Sequence, residues 1–237
     1  MVQHYLFTEI PEVKVPSLNM RQLIQEDQAP RFIMRRYDIL PQTTHHFESE
    51  KGEREIYLLS GHLDVSGSKK VNRSLSPNDF LYIPPKDTFM VTNKSDHTAS
   101  FLDILPKPAE VTSNLPFLPP IRNGNYTDIE AKPVIKFGST YTTIRVLIDE
   151  DHAHQMLMRR FEIAPGGTIG VHQHAWEHEM FVLEGKMLLT NLTKQKEEVE
   201  AGEFIYMPPN EDHGYRNESS ERVVFICMIP NLKYFTL

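Results

Sequence analysis

RQLIQEDQAPRFIMRRYDILP at residues 21–41 and RVLIDEDHAHQMLMRRFEIAP at residues 145–165 are two versions of one pattern, offset by 124 positions. The correspondence continues without a gap. EREIYLLSG (53–61) lies on EHEMFVLEG (177–185), NDFLYIPPKDTFMVTN (78–93) on GEFIYMPPNEDHGYRN (202–217), and FLDILP (101–106) on FICMIP (225–230). One offset held over about 86 residues marks a duplicated domain. Each copy consists of short apolar or alternating runs bounded by Gly, Pro, Asn and Asp, the signature of strands and tight turns. Outside residues 17–26 no stretch keeps a helical period for a dozen residues. The reading is an all-β chain of two tandem jelly-roll barrels. It places an N-terminal barrel at 1–110, a Pro- and Asn-rich linker at 111–133, and a C-terminal barrel at 134–237.

Composition narrows the function. With 40% hydrophobic and 24% charged residues among 237, the chain has the make-up of a soluble globular protein. A net charge of -7 argues against nucleic acid or an anionic membrane as partner, since both require a basic surface. Cys227 is the single cysteine, so no disulfide forms within the chain and a reducing compartment is suitable. The first residues, MVQHYLFTEIPEVKVP, lack the basic and apolar regions of a signal peptide, and no apolar run approaches the ~20 residues that span a bilayer. The expectation is a cytoplasmic protein whose partner is a small molecule.

The second copy concentrates histidine. In GGTIGVHQHAWEHEMFVLEGK (166–186), His172 and His174 are two apart, so on a strand they would share a face. His178 follows, and His213 comes 35 residues later on a segment that barrel closure can bring opposite. Imidazole is a ligand for Mn, Fe, Ni, Cu and Zn.

These residues resemble the cupin superfamily. The first cupin motif is matched by Gly166, His172, His174, then His178 or Glu179, and Gly185; the second by Gly202, Pro208, His213 and Asn217, with Asn210 where glycine is usual. The resemblance implies tandem double-stranded β-helix barrels (a bicupin) and one divalent transition metal ion (Mn, Fe, Ni, Cu or Zn) per chain. HQHAWEHE is similar to a subgroup of small cupins that use four histidines, which implies His172, His174, His178 and His213 as ligands. In the many cupins with three histidines and a glutamate, Glu179 would be the fourth. The duplication favours the histidines. Their counterparts in the first copy are Glu48, Glu50, Arg54 and Phe89, which reads as a degenerate, metal-free barrel, whereas Glu179 persists there as Glu55. Glu48, Glu50 and Arg54 are expected to cluster where the metal would have been. By resemblance to the four-histidine subgroup, Ile169, Phe225 and Cys227 are carried over as substrate-pocket residues, and pairing into a homodimer through exposed sheets is implied.

The remaining candidates read as structural. His45 and His46 are expected in a metal-free turn, His152 and His154 in an exposed hairpin, and the Arg pairs 35–36 and 159–160 in salt bridges, with contact of one of these arginines with substrate as the alternative. Four neutral imidazoles would leave the ion its full double charge and two open positions, a site for an anionic oxygen donor. The functional expectation is an oxidoreductase with dioxygenase-type chemistry on a small anionic or enolic substrate. The alternatives are a non-redox metal-dependent sugar isomerase or lyase, and a non-catalytic small-molecule binding or sensor protein.

Overall fold

The computed structural model describes residues 3–5, 9–24, 27–28, 31–48, 52–67, 71–107, 122–191 and 196–233, and among these the chain is built from strands, with no α-helix. Among the described residues no helix is long and apolar enough to cross a membrane. The chain forms two compact units. One comprises Ile10–Asp128 with Ile148–Met156, the other Met1–Glu9, Ile129–Leu147 and Leu157–Leu237.

This division differs from boundaries at 110 and 134, because two short segments belong to the unit remote in sequence. Gln3–Tyr5 adds a strand to the second unit by pairing with Phe204–Tyr206. Ile148–Met156 joins the first unit, where the Glu53 carboxylate accepts the backbone N–H groups of His154, Gln155 and Met156 at 2.9, 2.7 and 3.1 Å. Such donors stabilise a carboxylate that burial alone would protonate. Part of the expected linker is strand: Asn123–Asn125 pairs with Asp79–Leu81, and Lys132–Pro133 with Thr143–Ile144. Residues 111–121 lie outside the described residues.

The first unit is a jelly-roll barrel of a seven-stranded and a four-stranded sheet. Alternation along Arg54–Ser60 turns Ile56 and Leu58 inward; Val65, Phe89 and Val91 meet them from the smaller sheet, in one buried cluster. The second unit's strands form one ten-stranded sheet, because the 17-residue strand Met156–His172 serves both faces of its barrel. It pairs with Val223–Pro230, bends at Gly166 (φ 73°), and then pairs with His213–Arg216.

The duplication is visible in backbone detail. Positive φ recurs at positions 124 apart: Gln42 and Gly166, Gly61 and Gly185, Asn78 and Gly202, Lys86 and Asn210. Asn93 and Asn217 make the same bonds in each copy. Asn93 Nδ2 donates to the carbonyls of Ile39 and His97, and Asn217 Nδ2 to those of Ile163 and Glu221. The motif asparagine therefore closes a turn in both barrels, with or without histidines nearby.

Candidate metal centre

The second barrel brings the four histidines together. The strand Met156–His172 carries a bulge between Ile169 and His172, which leaves His172 directly across from His213. Their ring centroids are 4.3 Å apart. The strand stops at His172, so His174 reaches the cluster from a loop rather than by strand alternation. That loop is pinned where the Asn210 N–H donates to the His174 carbonyl at 2.6 Å. Asn210 holds φ 61°, a left-handed conformation that Asn tolerates better than most residues, which accounts for it standing where glycine is usual. His178 opens the next strand, and its ring stacks on His174 at 4.7 Å and lies 5.1 Å from His213.

His172, His174 and His213 each offer a nitrogen within 4.8 Å of the other two, close enough to share one ion. His178 borders this triad. The hydrogen bonds set the tautomers. Nδ1 of His172 meets the Gly170 carbonyl and Nδ1 of His213 the Glu211 carbonyl, both at 2.8 Å. A carbonyl only accepts, so each Nδ1 carries the proton and each Nε2 presents a lone pair, the usual arrangement behind metal-ligating histidine. Nε2 of His213 and of His178 are buried without a partner among the described residues. Burying an unsatisfied imidazole nitrogen is costly, and a cation at the centre of the cluster would remove the cost.

All four rings are held neutral, as ligation requires. Burial is the first cause in each case. It lowers His172, and with the neighbouring imidazoles it takes His174 to about 3. Burial brings His213 to about 4 and puts His178 well below its ordinary value, aided there by the Arg159 charge. The residues present therefore fit a divalent transition metal.

Glu179 stands apart. It follows His178 on a strand, so its side chain takes the opposite face. It is fully buried, neither oxygen has a partner among the described residues, and burial beside Glu177 raises its carboxyl well above the ordinary range. Glu55 repeats this behaviour in the first barrel.

A cavity of about 410 Å³ opens beside the rings of His172, His174 and His178. Ile169, Phe225 and Cys227 line it, together with Phe161, Met180, Trp176 and Tyr215. Sequence reading assigned Arg159 to a salt bridge, but it lines this cavity too. Its guanidinium lies over Phe161, with Nη2 donating to Cys227 Sγ at 3.2 Å. Alternation separates the adjacent arginines: Arg160 turns the other way and pairs with Glu162. The inward series Arg159, Phe161, Ile163 was the available signal, masked by the recurrence of Arg-Arg in both copies. Phe137 was also missed. Its ring stacks on His172 at 3.9 Å, and its carbonyl accepts the Gly170 N–H, which holds the segment 133–137 against the cavity it lines.

Three other expectations are corrected. His45 and His46 lie on the strand Thr43–Phe47, with His45 bonded to Ser17 Oγ. His154 is fully buried, not exposed, because Glu53 draws its backbone into the first unit. Arg54 pairs with Asp103 at 2.7 Å instead of with Glu48, which is exposed; Glu50 lies outside the described residues.

Residues 159–229 match the family model described as a cupin domain. The chain carries a cupin domain. Its fold along the whole length is that of solved structures, each under 25% identical, so the likeness is one of fold. A Pseudomonas aeruginosa protein named as glyoxylate induced is 20% identical, with TM-score 0.82 over 100% of this chain and 91% of that one. Protein Ylba from E. coli is 14% identical, with TM-score 0.80 over 97% and 90%. Oxalate decarboxylase from Lactobacillus farciminis is 12% identical, with TM-score 0.76 over 95% and 85%. No curated protein matches the sequence. The cupin segment begins at Arg159 and contains all four histidines.

Proposed function

We propose that the second barrel holds one divalent transition metal ion through His172, His174, His178 and His213, and catalyses dioxygenase-type chemistry on a small anionic or enolic molecule. The first barrel is the metal-free scaffold. The four neutral imidazoles would hold the ion without cancelling its double positive charge, and it would supply Lewis-acid and redox chemistry to an anionic oxygen donor.

The observation that carries the choice of chemistry is the lack of a carboxylate base in the cavity wall. Among the described residues, no carboxylate lines the cavity. The Tyr215 hydroxyl donates to Met180 Sδ at 3.1 Å, and burial raises it well above the ordinary phenol. Burial also raises the Cys227 thiol, which stays protonated at neutral pH. Isomerases and lyases that withdraw a proton from carbon need a positioned base. Oxygenation of a substrate that arrives already ionised or enolised needs none. Phe161, Phe225, Ile169 and Met180 form walls that limit water around such a substrate.

The test is dioxygen uptake by iron(II)-loaded protein with a panel of β-diketones and enolisable oxo acids. Uptake matched to substrate loss, and absent from zinc-loaded protein, is the expected result. Turnover that persists without dioxygen, or with zinc in place of iron, would rule out the oxygenase reading.

A further inference from the structure

Besides the histidines, the cavity's polar lining consists of the hydrogen-bond donors Lys136, Arg159, Trp176, Tyr215 and Cys227. Arg159 carries a permanent charge. Its Nε is buried without a partner, and among the described residues no carboxylate pairs with it; its Nη2 meets only the Cys227 thiol, a weak acceptor. Trp176 lines the same cavity, and its Nε1–H is likewise buried without a partner among the described residues. A guanidinium met only by a thiol and an aromatic face, lining the same cavity as an unanswered indole N–H, is costly in an apolar wall unless a ligand supplies acceptors. The apolar part of the wall includes Ile144, Phe161, Ile169, Met180 and Phe225, which suits an aryl or branched alkyl body.

We infer that Arg159, assisted by Trp176, binds the carboxylate of the substrate, and that the substrate is a monocarboxylate with an apolar body and a second oxygen donor on the adjacent carbon: a 2-oxo or 2-hydroxy acid. The inference rests on the metal reading above, since the second oxygen is the one directed at the histidine cluster. Arg159 sits on the strand that also delivers His172, so the carboxylate anchor and the metal centre are fixed by one element. A planar guanidinium pairs with a carboxylate through two parallel bonds, which orients the acid as well as holding it.

The test is isothermal titration calorimetry on the full-length, zinc-loaded protein, which binds without oxidising. The probes are phenylpyruvate and benzyl methyl ketone, which replaces the carboxylate by a methyl group. Wild type is expected to bind phenylpyruvate at least tenfold more tightly than the ketone. Arg159→Leu should abolish that preference, Arg159→Lys should keep part of it, and Trp176→Phe should weaken phenylpyruvate a few-fold, each with zinc content unchanged. Arg159→Lys and Trp176→Phe retain bulk and decide the matter should the leucine variant misfold. Equal affinity of wild type for the two probes, no binding of phenylpyruvate, or variants that keep the preference would overturn the inference while leaving the metal site standing. A wild type that takes up no zinc would overturn the metal reading and this inference with it.

Discussion

The two barrels share a backbone and differ in what fills them. At positions 124 apart, His178 is replaced by Arg54, His213 by Phe89 and Cys227 by Asp103. In the first barrel Arg54 and Asp103 form a buried ion pair, and the guanidinium lies 5.4 and 5.3 Å from the centroids of Phe47 and Phe89, which stack on each other at 4.7 Å. In the second barrel the same positions hold imidazoles with open nitrogens, beside a cavity. One interior neutralises its own charge with its own side chains; the other leaves donors and lone pairs for something else to satisfy. The difference teaches that a duplicated barrel can lose a site only by refilling it, because an emptied one would carry voids and unpaired polar groups.

The largest effect should come from breaking the refilled interior. Asp103→Ala removes the buried carboxylate that meets the Arg54 guanidinium at 2.7 Å and should cost about 3–5 kcal/mol in urea denaturation. Arg54→Met with Asp103→Leu should recover most of that loss, and the corresponding Cys227→Ala should cost about 1 kcal/mol or less. Next, His213→Ala should weaken zinc binding by at least about 100-fold, about 2.7 kcal/mol, in competition titrations, whereas Phe89→Leu should leave it unchanged. A smaller effect is expected at Gly170, where a Cβ would meet the Phe137 carbonyl at 2.1 Å. Gly170→Ala should lower stability by about 1–3 kcal/mol and displace the segment 133–137 that lines the cavity. His46, the counterpart of Gly170, shows that the first barrel has no such requirement.

The smallest effect concerns what the barrels share. Burial raises Glu55 and Glu179 well above the ordinary 4.5. An acid raised in the folded state stabilises fully below its unfolded value, and that contribution is lost as pH rises toward and through the folded one. Glu55→Gln and Glu179→Gln remove this loss. Both should therefore raise the melting temperature at pH 9 by a few degrees relative to wild type, with little change at pH 4. Metal content should be untouched in both. A Glu179→Gln protein that loses its metal would show that this acid is a ligand.

The duplication made the fold legible, since its turns recur with the same backbone signs at Gly61 and Gly185 or Asn78 and Gly202. The four histidines were legible because all of them change together between the copies. The exchange of Gln3–Tyr5 and Ile148–Met156 was not, because backbone pairing and a carboxylate accepting backbone N–H groups leave little trace in local pattern. Arg159 was hidden for the opposite reason: it repeats as Arg35, and a repeated residue reads as structural. Its role depends on the strand face it shares with Phe161, beside a cavity that side-chain volumes on several strands create together.

The most direct test of a centre retained in only one barrel is elemental analysis of the purified full-length protein, alone and as His213→Ala. The account predicts about one transition metal ion per chain, falling toward none in the variant. Two ions per chain, none in wild type, or full occupancy after the substitution would contradict it.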